Sequence, residues 1–202
     1  VLSCGEDWDA AVPILHAEGE VTTAHLKGAA FRLTRRITAP IGGTTFRITD
    51  RVENIGTDAQ PLGVLHHINF GFPAVAPGTV IRVDGEDVLT AGPDAPQGAR
   101  CLAAGKGGRA VAELVRPATR PWVGLHATIT SRTAAQPFVQ VWSDLRPRRN
   151  LIAIEPCTSM RRPDGTSEPG PVLAPGERWH ATLVFTFAHP AAAGHGETHG
   201  NR

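Results

Sequence analysis

Tyrosine is missing altogether from these 202 residues, methionine occurs once, and Lys27 and Lys106 are the only lysines among 20 basic residues. With 22 glycines and 17 prolines, that bias reads as the imprint of a GC-rich genome rather than of function. Charge of one sign is also lacking, because 20 Lys and Arg stand against 19 Asp and Glu. No basic stripe asks for nucleic acid and no acidic run for a cationic partner. Nor does any apolar run approach the roughly 20 residues of a membrane helix. Cys4, Cys101 and Cys157 are odd in number and widely spaced, so they form neither a disulfide framework nor a CxxC metal site. Reduced thiols of a cytoplasmic protein are the expectation. "VLSCGEDWDAAVP" opens without Met and without the charged and apolar regions of a signal peptide.

What is present is period-two alternation. In "TTFRITDRVEN" (44–54), Phe46, Ile48 and Val52 fall on one face, with Thr45, Arg47, Thr49 and Arg51 on the other. Residues 30–39 and 178–187 alternate in the same way, and 20–26, 62–69, 79–84, 109–116, 122–131, 137–143 and 150–155 are further strand candidates. Gly and Pro punctuate the joins, as in "PIGG", "FPAVAPG" and "LAPGE". About ten short strands separated by turns predict an all-β sandwich or barrel. Residues 1–189 read as one domain, and 85–108 as a long irregular loop over one end of it. Residues 190–202, with His195 and His199, read as a disordered, solvated tail.

Two stretches carry candidate chemistry. In "LGVLHHINFGFP" (62–73), alternation sends Leu65, His67 and Asn69 to one side and Val64, His66 and Ile68 to the other. Adjacent histidines on opposite faces do not chelate one ion, and no local H-x-H or H-x-x-x-H spacing offers a metal site. In "NLIAIEPCT" (150–158), Glu155 ends a strongly apolar strand just before Pro156. A carboxylate there either faces water, or must be paired, hydrogen-bonded or used. Apolar surroundings would raise its pKa and make it a better base.

"HINFGFP", "IAIEP" and "VLAPGERW", in that order after "ITDRVENIGTDAQPLGVL", resemble the aldose 1-epimerase (galactose mutarotase-like) superfamily, and most closely its branch of unknown function. The resemblance spans roughly residues 20–188. It implies an antiparallel β-supersandwich, short at its N-terminus, whose concave face takes a small-molecule sugar without metal or organic cofactor. It also implies interconversion of anomers: a His protonates the ring oxygen while a Glu removes the proton of the anomeric hydroxyl. His67 stands in the acid's place and Glu155 in the base's. His66 stands where relatives usually carry an aromatic residue. Asn69 is then a candidate sugar contact, Trp142 a stacking face, and Asp144 and Arg148 candidates for hydroxyl recognition.

Relatives in the superfamily are longer at the N-terminus and carry His-Gly-Arg where this chain reads His16, Ala17 and Glu18, so no role is carried over to His16. Strands missing from the sandwich predict homo-oligomerisation or a partner chain that supplies them. Neither nucleic acid nor membrane is expected as a partner. A non-catalytic sugar-binding module, or a subunit of a larger carbohydrate-processing assembly, is the alternative function, since one fold hosts many activities.

Overall fold

The computed structural model describes residues 1–25, 28–105 and 107–189, so the expected tail at 190–202 lies outside the described residues. Fifteen strands form among them and no helix, hence none long and apolar enough to cross a membrane. In chain order they are β1 (Ser3–Asp7), β2 (Ile14–Ala24), β3 (Ala30–Pro40), β4 (Thr45–Asn54), β5 (Gln60–Pro61), β6 (Ile68–Phe70), β7 (Val80–Val83), β8 (Glu86–Thr90), β9 (Gly98–Ala103), β10 (Arg109–Arg116), β11 (Leu125–Arg132), β12 (Phe138–Asp144), β13 (Leu151–Cys157), β14 (Val172–Leu173) and β15 (Arg178–Ala188). Nine make one antiparallel sheet in the order β1-β2-β3-β4-β15-β11-β10-β7-β8, and four make a second in the order β6-β13-β12-β9. β5 and β14 pair with each other.

The two sheets bury their alternating apolar residues against each other. Ile152 and Ile154 of β13 and Val139 and Val141 of β12 face Leu114, Ile129, Leu183 and Phe185 of the large sheet in one continuous core. Each fully buried Ile or Leu contributes about 1.5–3 kcal/mol. The intervening residues of the small sheet therefore share its outer face. Gln140 pairs with Glu155, Trp142 with Ala153, and Ala153 in turn with Asn69. A smaller cluster, with Val52, Leu62, Leu173 and Trp179, closes one end.

Two of the recognisable motifs serve the scaffold. Asn54 is fully buried, donates from Nδ2 to the Asp58 and Leu173 carbonyls, and accepts the Gly56 amide. A side chain at Gly56 would begin 2.7 Å from the Gly28 carbonyl oxygen, so only glycine fits that crossing. The "LAPGE" turn folds back on the same asparagine through the Gly176 amide and the Asn54 carbonyl.

Three sequence expectations need correction, and one strand, β1, has no counterpart among the strand candidates. Segment 62–69 is not a strand: only β6 pairs as one, and Leu65 makes an isolated bridge to Cys157. It runs beside Pro156, which has no N–H to give, so the ladder breaks there and re-forms irregularly through His66 N to Pro156 O at 3.0 Å. Segment 85–108 is not a loop but holds β8 and β9, each too short and too Gly-rich at its ends for alternation to reveal. β1 pairs with β2 although its sequence, "SCGED", is polar. β13 does not stop at Glu155 but continues through Pro156 to Cys157.

Candidate active site

Glu155 lies mid-strand and is 1% exposed, so its carboxylate does not face water as a strand end would. A buried carboxylate needs partners for its oxygens, and each has one. His67 Nε2 lies 2.9 Å from Oε1 as an ion-pair contact, and Gln140, on the neighbouring strand, donates from Nε2 to Oε2. The His67 side chain is half exposed, so one end of the pair is buried and the other open. Acid and base candidates thus meet directly on the outer face of the small sheet. Trp142 stands beside them, its ring centroid 6.3 Å from that of His67 at an interplanar angle of 54°. Asn69, exposed, projects from β6 on the same face.

His66 turns the other way and anchors the segment. Its Nε2–H donates to Asp50 Oδ2 at 2.8 Å, and Asp50, fully buried on β4, also receives Arg35 Nε at 2.7 Å and Nη2 at 2.6 Å. Gln136 Nε2 reaches both His66 Nδ1 at 2.7 Å and the Pro156 carbonyl at 3.1 Å. The carbonyl fixes the amide nitrogen on that side, so Nδ1 accepts and Nε2 carries the proton. Burial works to raise the Asp50 carboxyl, but the hydrogen bonds from Arg35 and then His66 outweigh it and hold it below the ordinary carboxylate range. The chain Arg35–Asp50–His66–Gln136 ends on the backbone next to each reactive residue: His66 precedes His67, and Pro156 follows Glu155.

Two clefts open on this face, of about 480 and 210 Å3, and Gln140 and Arg161 line both. Gln140 is 3% exposed, and its Oε1 has no hydrogen-bond partner. Cys101 lines the larger cleft and Cys157 the smaller. The hydrogen bond between these two thiols, with backbone donors from Arg161 and Leu102, pulls the Cys101 thiol down to about 6, whereas the Cys157 thiol is pushed up.

The structure therefore brings His67, Glu155, Trp142 and Asn69 to one face. None of the six candidates lines either cleft, which the pair reaches only through Gln140, and Asp144 and Arg148 are not among the residues gathered around His67 and Glu155. The Asp144 carboxylate is held by Arg146 at 2.8 and 2.7 Å and approached by Arg149 at 3.9 Å; Arg146 is the main reason its pKa falls to about 2. Arg148 is exposed in the turn that follows, at φ +70°. Sequence reasoning passed over Gln140, although alternation puts it two residues from Trp142 on the same face. It also passed over Gln136 and Arg161, for which no local pattern speaks.

Sheets of nine and four antiparallel strands make an all-β sandwich whose fold is galactose mutarotase-like. Over residues 2–187 the chain belongs to the family described as a domain of unknown function (DUF4432). Its fold is similar to that of a candidate aldose 1-epimerase from Klebsiella pneumoniae, at 18% identity and a TM-score of 0.69, covering 90% of this chain and 52% of that one. It is also similar to a candidate aldose 1-epimerase from Escherichia coli K12 (19% identity, TM-score 0.59, 93% and 68% covered). A galactose mutarotase-like protein from Lactobacillus casei is a third (16%, 0.56, 92% and 73%). The chain spans about half the length of the Klebsiella protein. Among curated protein sequences none matches it.

Proposed function

We propose that the chain is an aldose 1-epimerase-like isomerase in which His67 and Glu155 exchange protons with a sugar. The observation that carries this reading is the 2.9 Å contact between a buried carboxylate and a half-exposed imidazole on the open face of the small sheet. An anomeric hydroxyl can take the place of His67 at Glu155 Oε1 and give its proton to the carboxylate. His67, displaced but still adjacent, then protonates the ring oxygen. The C1–O5 bond breaks, the open aldehyde rotates about C1–C2, and reclosure on the other face returns both protons. Gln140 keeps the second carboxylate oxygen engaged throughout, so the basic lone pair stays on Oε1. Trp142 offers its ring to the apolar face of a pyranose, and Asn69 a donor and an acceptor to its hydroxyls. A positioned acid and base of this kind accelerate proton transfer about 10²–10⁴-fold. In NMR exchange measurements over a panel of free aldoses and uronic acids, wild type accelerates anomer exchange of at least one sugar and Glu155→Gln does not. No acceleration for any of them refutes the reading.

One observation favours a second reading, a sugar-binding module without catalysis. Both oxygens of Glu155 are already engaged within the protein, one by the Gln140 hydrogen bond and one by the contact with His67, as in a carboxylate kept for structure. Binding of a sugar that is unchanged in Glu155→Gln, with no exchange in either protein, would establish it.

A further inference from the structure

The larger cleft holds charge that the acid–base pair does not use. Arg100, Arg161 and Arg162 line it, and neither cleft has an acidic residue among its lining. Among the described residues Arg100 and Arg161 take part in no ion pair. Arg162 leans on Glu168 at 3.5 Å with both side chains half exposed, a contact worth little in water. The arginines are also placed. Residues 161–167 close a small hairpin through an Arg161–Ser167 bridge and the Arg162 N to Thr166 O bond at 2.8 Å. Its turn has Gly165 at φ +85°, and a side chain there would begin 3.8 Å from Arg161 Nη2. Arg161 and, from β9, Cys101 line the same cleft, so the hairpin lies over the small sheet. At the floor of both clefts lies Gln140, almost wholly buried, with an acceptor that nothing in the protein satisfies. An orphaned buried acceptor at the bottom of a cleft is where a ligand's hydroxyl belongs.

We infer that the sugar taken by this site carries an anionic substituent, a phosphate, sulfate or carboxylate, which Arg161 and Arg162 receive with Arg100 while a sugar hydroxyl donates to Gln140 Oε1. The inference rests on the sugar-binding part of the proposed function and adds the substrate's charge. A neutral aldose needs no guanidinium, whereas planar guanidinium groups match the paired oxygens of all three anions. The Glu155 carboxylate, engaged by His67 and Gln140, leaves the cleft net positive.

The test is calorimetric titration at low salt with glucose, galactose and mannose, their 6-phosphates and 6-sulfates, and glucuronate and galacturonate, with anomer exchange followed by NMR in the same samples. At least one anionic sugar is expected to bind about ten-fold or more tightly than its neutral parent, with affinity falling as salt is added. Arg161→Gln, an exposed substitution that leaves the core untouched, is expected to erase most of that preference, and Arg162→Gln part of it. Neutral sugars binding as tightly as anionic ones, no anionic sugar binding, or a preference that survives Arg161→Gln would each overturn the inference. Charge preference without accelerated exchange supports this inference and removes the isomerase. Accelerated exchange without charge preference does the reverse.

Discussion

The buried network behind the reactive pair can be tested without knowing the substrate. In Asp50→Ala the His66 Nε2–H, on a side chain 4% exposed, loses its acceptor. A buried donor left unsatisfied costs about 1–3 kcal/mol. Arg35, whose side chain is 40% exposed, turns to water, so its lost pair adds only about 1 kcal/mol. The total is about 2–4 kcal/mol, which for a domain near 200 residues lowers Tm by about 4–16 °C. Asp50→Asn keeps an acceptor for His66 and should cost about half as much. The assay is urea denaturation followed by fluorescence of the four tryptophans. The pH dependence has a defined sign, because the folded-state pKa of Asp50 is lowered. Its stabilisation is fully present above the ordinary carboxylate value of about 3.9 and is lost as pH falls through the folded value. The gap between wild type and Asp50→Ala should therefore be constant near neutrality and close below about pH 4. An Asp50→Ala variant within about 0.5 kcal/mol of wild type, or a gap that widens in acid, would refute the reasoning.

Two further outcomes concern the arm and the thiols. Gly170→Ala places a methyl 1.9 Å from the Leu62 carbonyl oxygen, against backbone. It should prise apart the Leu62 N to Pro171 O bond and cost more than about 2 kcal/mol in the same denaturation assay, and a neutral result would show that the arm carrying the arginine hairpin is not held there. Cys101, with its thiol near 6, should be alkylated by iodoacetamide at a rate that rises through about pH 6, against about 8.5 for an ordinary cysteine. Peptide mapping that finds Cys101 reacting only above about pH 8 would contradict the thiol pairing.

The sandwich was legible because alternation is a local consequence of burying one face of a strand. Phe46, Ile48 and Val52, or the apolar series ending at Phe187, announce their strands without help from the rest of the chain. β1 and β9 were not legible, since β1 is polar and exposed and β9 is a short edge strand that borrows its order from β12. The opposite facing of His66 and His67 was readable from alternation even though the segment is not a regular strand. The depth of Glu155 was not. Its burial depends on β13 continuing past a proline that sequence reasoning treats as a stop. The partners that give the site its character come from far along the chain. Gln140 meets Glu155 and Cys101 meets Gln140 through strand register, and Gln136 reaches His66 across 70 residues. No spacing within one segment carries such information. Asp144 shows the converse: its position on the strand suggested recognition, but an arginine two residues on satisfies it first.

The central claim is that His67 and Glu155 act as one acid–base unit, and the direct measurement is a double-mutant cycle on anomer exchange. Rates would be compared by NMR for wild type, His67→Asn, Glu155→Gln and the double variant, with folding checked by the same denaturation assay. The account predicts that each single variant loses about 10²-fold or more, and that the double variant loses no more than the worse single one. Wild-type exchange no faster than in buffer, a single variant that retains the wild-type rate, or losses that multiply in the double variant would contradict it.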